Sequence, residues 1–259
     1  MLKFSANIST LFTEVEFLER FEASSNAGFK AVECHYPYEW EPDQIGAKLS
    51  QFDLKLVLHN VPVGNRTAGE KGIALIPDRV GEFQESIALA MRYAKTLQCP
   101  CVNCPVGLTP DGLAEDLIRE TLRNNLRFAA AALEKENIRL VVEALNSRDV
   151  PGFYLATTAQ AIDVIDEVNH ANLYLQYDIY HMQIMEGNLT ETIRTNISRI
   201  RHIQLADNPG RNEPGTGEIN FKNLLRFIDE ANYDGWIGCE YTPRGRTEDS
   251  LGWLAPYLQ

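Results

Sequence analysis

Four short apolar runs of this chain each carry, at or near their last position, a polar side chain able to bind a metal or move a proton. They are Leu140-Val141-Val142-Glu143, Leu173-Tyr174-Leu175-Gln176-Tyr177-Asp178, Ile203-Gln204-Leu205 and Trp236-Ile237-Gly238-Cys239-Glu240. Each run is short and rich in β-formers, so each reads as a buried strand. Glu143 and Asp178 lie 35 positions apart, Asp178 and Gln204 26, and Gln204 and Glu240 36. Such intervals suit one strand–helix unit of an eight-unit barrel. Four strands of that barrel would aim three carboxylates and one amide at a common point. Carboxylates crowded together repel unless a cation neutralises them. The pattern therefore predicts a metal site with acid–base chemistry.

The rest of the chain alternates in the same way. Strands are expected over 3–9, 31–35, 55–60, 101–105, 138–144, 172–178, 200–206 and 236–241. Helices are expected over 12–26, 42–51, 80–97 and 113–136, with a further one capped by Thr157 or Thr158. The segment 61–78 holds Gly64, Gly69, Gly72 and Pro77 without a clear period, and reads as a long loop or lid. Eight strand–helix alternations in 259 residues, with no linker or repeat tract, predict a single (β/α)8 barrel domain over residues 1–259. A doubly wound sheet is the alternative. It suits the sequence less well, because the candidate ligands come from successive strands and a closed barrel converges these more readily.

Charge and composition narrow the function. A net charge of −12 argues against nucleic acid and against anionic membrane surfaces as partners. The start of the chain lacks an apolar signal core, and no apolar stretch approaches the roughly 20 residues of a membrane span, so a cytoplasmic location is expected. The five cysteines, with Cys34, Cys99, Cys101 and Cys239 expected in strands and Cys104 at a strand end, suit buried thiols in a reducing compartment. Cys99, Cys101 and Cys104 lie close together but have no second Cys or His pair nearby, so no structural zinc is expected. No Gly-x-Gly-x-x-Gly, Gly-x-Ser-x-Gly or His-Glu-x-x-His motif occurs, and no nucleotide cofactor is expected. A homo-oligomer is compatible with the chain.

Glu143, Asp178 and Glu240 are expected at the C-terminal ends of their strands, the face that carries chemistry in barrel enzymes. Together with the amide of Gln204 they form a hard oxygen donor set, suited to Mg2+ or Mn2+ rather than zinc or copper. His181 is expected on the loop just past the sixth strand, able to hold a substrate oxygen. His59 and Asn60 end the third strand and face the same mouth. His202 is expected one layer deeper, as a core or supporting residue, and His35 in either role. His170 reads as a surface residue. The loop from Asp207 to Glu218 is glycine-rich, but its acids make it a poor phosphate cradle. Arg211 in that loop reads either as a clamp for a substrate carboxylate or as a surface partner of Glu213.

With Glu143, Asp178, His181, Gln204 and Glu240 in this order, the chain resembles the xylose isomerase-like barrel superfamily. Several longer runs resemble the hydroxypyruvate isomerase family within it. These include Phe4-Ser5-Ala6-Asn7-Ile8-Ser9, Leu58-His59-Asn60, Tyr177-Asp178-Ile179-Tyr180-His181-Met182-Gln183, Glu213-Pro214-Gly215-Thr216-Gly217-Glu218-Ile219-Asn220 and Gly235-Trp236-Ile237-Gly238-Cys239-Glu240-Tyr241. The close sister group of 2-oxo-tetronate isomerases shares them, and Pro243-Arg244-Gly245-Arg246-Thr247-Glu248 leans toward that group. The resemblance implies a small 2-oxo-hydroxy acid substrate. It implies Glu143 and Glu240 as paired acid–base residues, and a divalent metal held by Glu143, Asp178, Gln204 and Glu240. Which glutamate is the base is left open. A sugar 3-epimerase and a non-catalytic sugar-binding protein are the competing readings. An abasic-site endonuclease would need a basic groove and several zinc-binding histidines, against which stand the net charge and a total of five histidines.

Overall fold

Strand alternation divides the buried side chains of this protein into two sets. On one face of the strands, residues such as Phe4, Val32, Val102, Leu140, Leu175, Ile203 and Ile237 join the main apolar core beneath the helices. The residues between them, including Ser5, Glu33, Asn103, Glu143, Gln176 and Gln204, are also buried yet polar. Alternation sends this second set to the barrel axis.

The computed structural model describes residues 1–257. The strands are β1 (Lys3–Asn7), β2 (Ala31–Cys34), β3 (Lys55–Asn60), β4 (Cys101–Asn103), β5 (Arg139–Glu143), β6 (Leu173–Asp178), β7 (Ile200–Leu205) and β8 (Trp236–Cys239). All pair in parallel and in sequence order, and β8 closes on β1. The outer ring is α1 (Arg20–Asn26), α2 (Pro42–Gln51), α3 (Val80–Thr96), α4 (Glu115–Glu134), α5 (Thr158–Val168), α6 (Ile179–Met185), α7 (Leu189–Asn196) and α8 (Phe221–Glu230). The expected (β/α)8 barrel is therefore the observed fold. Register sets Glu143 beside Gln176, Asp178 beside Gln204, and Gln204 beside Gly238.

Local signals account for half of the helix starts. Thr157 and Gln160 cap α5 reciprocally, and Pro42 opens α2 where a missing N–H costs nothing. Three expectations change. The helix expected from residue 12 begins only at Arg20, after a 3-10 turn at Phe17–Glu19. Phe12 has φ 56°, and its N–H is taken by Thr247 Oγ1 at 2.8 Å, so it is held in a turn. The stretch after β6, expected as a loop, is α6, because the Asp178 carboxylate accepts the N–H groups of Tyr180 and His181 and so caps a helix. Cys99 lies outside β4 rather than in a strand, and all five thiols are free and buried. No helix among the described residues is long and apolar enough to cross a membrane.

The loop from β7 to α8 folds around its own acid. Asp207 Oδ1 accepts from the N–H groups of Asn208 (2.9 Å) and Ile219 (3.1 Å), and Oδ2 from those of Gly215 (2.8 Å) and Gly217 (2.9 Å). The glycine-rich segment thus directs four of its N–H groups to a side chain of the same loop. A side chain on Gly217 would run into the Asn208 carbonyl and the Asp207 carboxylate, so the close turn requires glycine there. Asp207→Ala leaves four loop donors without that acceptor. At roughly 1–3 kcal/mol for each buried donor left unsatisfied, urea unfolding should report a loss of at least about 2 kcal/mol. An unchanged midpoint would mean that water replaces the carboxylate without penalty.

Candidate active site

Three buried acids meet at the C-terminal mouth of the barrel. Glu143 and Asp178 are the last residues of β5 and β6, and Glu240 follows β8 directly. Ligand atoms of Glu143, Asp178 and His181 all lie within 4.8 Å of one another, a grouping that could hold a metal ion. Asp178 is held from behind, since its Oδ1 accepts the Tyr180 N–H at 2.8 Å while Oδ2 turns to the site. Glu143 Oε2 accepts from Asn103 Nδ2 at 3.2 Å, and that amide also donates to Asn60 Oδ1 at 3.1 Å.

Glu240 is outside that grouping, and Arg211 touches both it and Asp178. The Arg211 guanidinium is 3.1 Å from Glu240 Oε1 and 3.7 Å from Asp178 Oδ2, and lies over the Tyr180 ring. Arg211 therefore faces the site, and the loop acid Glu213 instead accepts the N–H of Arg244. The second partner of Glu240 is His35 Nε2 at 2.7 Å, which brings His35 into the site. Gln204 is buried at the expected height. Its Nε2 donates to Glu33 Oε1 at 2.7 Å and its Oε1 accepts from Gln176 Nε2 at 2.6 Å. A carbonyl oxygen has two lone pairs, so one remains for a cation.

These contacts drive the two glutamates apart. Burial pushes the Glu143 carboxyl well above the usual range, and the neighbouring Asp178 and Glu240 raise it further. Burial also raises Glu240, but the charges of Arg211 and His35 outweigh it and hold that carboxyl at about 2. The surroundings thus favour a proton on Glu143 and the ionised form of Glu240. Arg211 feels burial downward, yet Glu240, Asp178 and Glu143 leave it more strongly protonated than usual.

The tautomer of His181 follows from its partners. The Asn146 backbone N–H donates to His181 Nδ1 at 3.1 Å, and a backbone N–H can only donate. In the neutral ring the proton is then on Nε2, which faces Asp178 Oδ2 at 3.6 Å. Burial lowers the His181 pKa and favours this neutral form. His181 is thereby a hydrogen-bond donor to the site rather than a ready metal ligand, although distance alone groups it with the acids. His59 is fully buried, its Nδ1 lies 3.2 Å from Tyr38 Oη, and burial lowers its pKa to about 4. Asn60 reaches the site through Asn103.

Glu143 and Asp178, grouped with His181, could hold a divalent cation in a region whose buried acids favour a positive charge, and Gln204 lies beside Asp178 in the neighbouring strand. Asn103, Gln176 and Glu33 are the contributors missing from the sequence reading. The same signal of a polar residue at or inside the end of a buried run is present in Cys101-Val102-Asn103, in Leu175-Gln176 and in Ala31-Val32-Glu33.

Relatives bear on this geometry. The profile of the xylose isomerase-like TIM barrel family matches residues 21–257. A hydroxypyruvate isomerase of Escherichia coli (strain K12) is 49% identical over 257 residues, covering 99% of this chain and 100% of that protein. A 2-oxo-tetronate isomerase of Pectobacterium atrosepticum is 43% identical, covering 100% and 99%. Among solved structures, an AP endonuclease, family 2, from Brucella melitensis is 42% identical with a TM-score of 0.97, covering 99% of each chain. A D-psicose 3-epimerase from Clostridium cellulolyticum H10 has a TM-score of 0.76 at 18% identity, covering 96% and 89%, which is a likeness of fold alone. With its barrel closed, its acids converging and its whole length aligned to such relatives, this chain belongs to the xylose isomerase-like TIM barrel family, in its hydroxypyruvate isomerase branch.

Proposed function

We propose that this isomerase interconverts a short 2-oxo-3-hydroxy acid with its aldehyde isomer, hydroxypyruvate and tartronate semialdehyde being the first pair to test. The observation that carries the reading is the meeting of buried Glu143, Asp178 and Glu240 at the barrel mouth, where burial favours a proton on Glu143 while Arg211 and His35 favour the ionised Glu240. Glu240 takes the proton from the hydroxymethyl carbon, giving an enediolate. Glu143 returns a proton to the neighbouring carbon, and a proton passes between the two oxygens. His181 Nε2–H steadies a substrate oxygen. Arg211 meets the substrate carboxylate with its Nε, a buried donor that has no partner. His59 and Asn60 belong to the substrate wall.

Glu143, Asp178, Gln204 and Glu240 would hold Mg2+ or Mn2+, which when bound supplies positive charge to the two substrate oxygens. No nucleotide cofactor enters this chemistry. Residues 1–259 are read as one functional barrel, cytoplasmic, alone or as a homo-oligomer. The net charge of −12 speaks against DNA as the substrate, despite the endonuclease name of the Brucella relative. A four-carbon 2-oxo acid is the second reading, supported by the 43% identity to a 2-oxo-tetronate isomerase.

Proton NMR in heavy water tests the reaction. Hydroxypyruvate or a four-carbon 2-oxo acid should isomerise with solvent deuterium entering the product, without nicotinamide or ATP. Binding of either acid with no exchange and no product would leave a binding protein. Glu240→Gln should lose both exchange and turnover by at least about 10²-fold. Glu143→Gln should retain exchange of the substrate proton while losing product to a similar extent. The comparison is made on variants whose metal content equals that of the wild type, and wild-type turnover in either would refute the paired-glutamate mechanism.

Two further outcomes follow from the charges. Because the raised Glu143 carboxyl must lose its proton to bind metal, Mn2+ affinity should fall as the pH is lowered, with proton release on binding. Titration calorimetry in buffers of differing ionisation enthalpy measures both, and a pH-independent affinity without proton release would mean that Glu143 is already ionised. Arg211→Lys should raise KM by about tenfold and Arg211→Ala by more, with smaller effects on kcat if binding is uniform. Unchanged kinetics in both would remove Arg211 from substrate binding.

A further inference from the structure

Beneath the mouth lies a carboxylate that the chemistry above does not use. Glu33 on β2 is fully buried, and the barrel makes room for it. Gly238 on β8 faces it directly, and a Cβ there would collide with both carboxylate oxygens. Glu33 Oε2 accepts from Ser5 Oγ at 2.8 Å. His202 Nε2 stands 2.8 Å from the same oxygen without the alignment of a hydrogen bond. Glu33 Oε1 accepts from Asn7 Nδ2 at 3.1 Å and from Gln204 Nε2 at 2.7 Å.

These contacts fix a direction. The Ser9 backbone N–H donates to Asn7 Oδ1 at 3.0 Å, so the Asn7 amide must turn its NH2 group to Glu33. Oε1 of Glu33 is thus an acceptor, and the end of Gln204 that faces it must be NH2. The carbonyl oxygen of Gln204 then has to point away from Glu33, where it accepts from Gln176 Nε2. Without the acceptor below, the two ends of that amide are nearly equivalent in shape, and either could face the site.

We propose that Glu33 is a positioning residue that sets the orientation of the Gln204 amide, and so presents the Gln204 oxygen rather than its NH2 group as a metal ligand. The inference rests on the reading of Gln204 as a ligand. It assigns Glu33 no contact with metal or substrate. It also accounts for Gly238, whose missing side chain is the space that the carboxylate occupies. Removing a group that orients a ligand from behind typically weakens metal affinity about 10–100-fold.

The test is Mn2+ affinity by titration calorimetry on the full chain. Glu33→Leu removes the acceptor at similar volume and should weaken Mn2+ by about 10–100-fold. Glu33→Gln keeps a carbonyl oxygen facing Asn7 and Gln204, and should bind within about threefold of wild type. A wild-type affinity in Glu33→Leu overturns the inference. So does a Glu33→Gln protein as weak as Glu33→Leu, since charge rather than orientation would then matter. Where Glu33→Leu does not fold, Gly238→Ala displaces the carboxylate and carries the test, with tenfold or greater weakening expected and wild-type affinity as the contrary result. Gln204→Ala separates the two levels. If it binds Mn2+ as well as wild type, or if the wild type binds none, the ligand role of Gln204 fails and the inference falls with it.

Discussion

Burying carboxylates inside a barrel is the constraint on which the rest of this molecule depends. Glu33, Glu143, Asp178 and Glu240 are each at most 8% exposed. An uncompensated buried charge costs more than the whole net stability of an ordinary domain. Each acid is compensated differently. Asp178 receives the first N–H groups of α6. Glu240 faces Arg211 and His35. Glu33 gathers Ser5, Asn7 and Gln204. Glu143, with two acids as neighbours, has its carboxyl pushed well above the usual range by burial and by their charges.

Arg211 is the counter-charge that stabilises this arrangement, and its placement is a backbone matter. The residue sits at φ 54°, in the left-handed region, within the loop that Asp207 organises. A second hydrogen bond ties that residue to the strand-end segment, from the Thr242 N–H to the Arg211 carbonyl at 2.8 Å. Loop shape and site charge are therefore one problem. Disturbing the acceptor at Asp207 disturbs the cation that steadies Glu240.

The polar interior also explains where satisfaction fails. Among the described residues, His59 Nε2, Asn103 Oδ1, Gln176 Oε1, His202 Nε2 and Arg211 Nε in the barrel interior, and Tyr177 Oη and Trp253 Nε1, are buried without a hydrogen-bond partner. Asn103 and Arg211 are in direct contact with the acids, and Gln176 is one amide away. Such orphans are rare in folded proteins and collect where a ligand completes the set. Elsewhere the interior is closed by ordinary packing, as in the small cluster of Leu58, Cys101 and Val141.

Much of this is legible in the sequence. The period of the apolar runs determines eight strands, and the polar residues closing them point to the barrel mouth, where the structure groups Glu143 and Asp178 with His181. The same signal at Asn103 and Glu33 is harder to single out, because the first half of the barrel looks like plain strand. The helix of Ile179–Met185 reads as a loop, since seven residues carry too little period to stand out from their neighbours. Pairing across the barrel is beyond reach. Gln204 and Glu33 are 171 positions apart, and His35 and Glu240 are 205 apart. Alternation along a strand tells which side chains turn inward, because that depends only on the local backbone. Which inward side chains touch depends on how eight strands stagger as the sheet closes. The tautomer of His181, the direction of the Gln204 amide and the opposed surroundings of the two glutamates all rest on those contacts, and only the tertiary structure decided them.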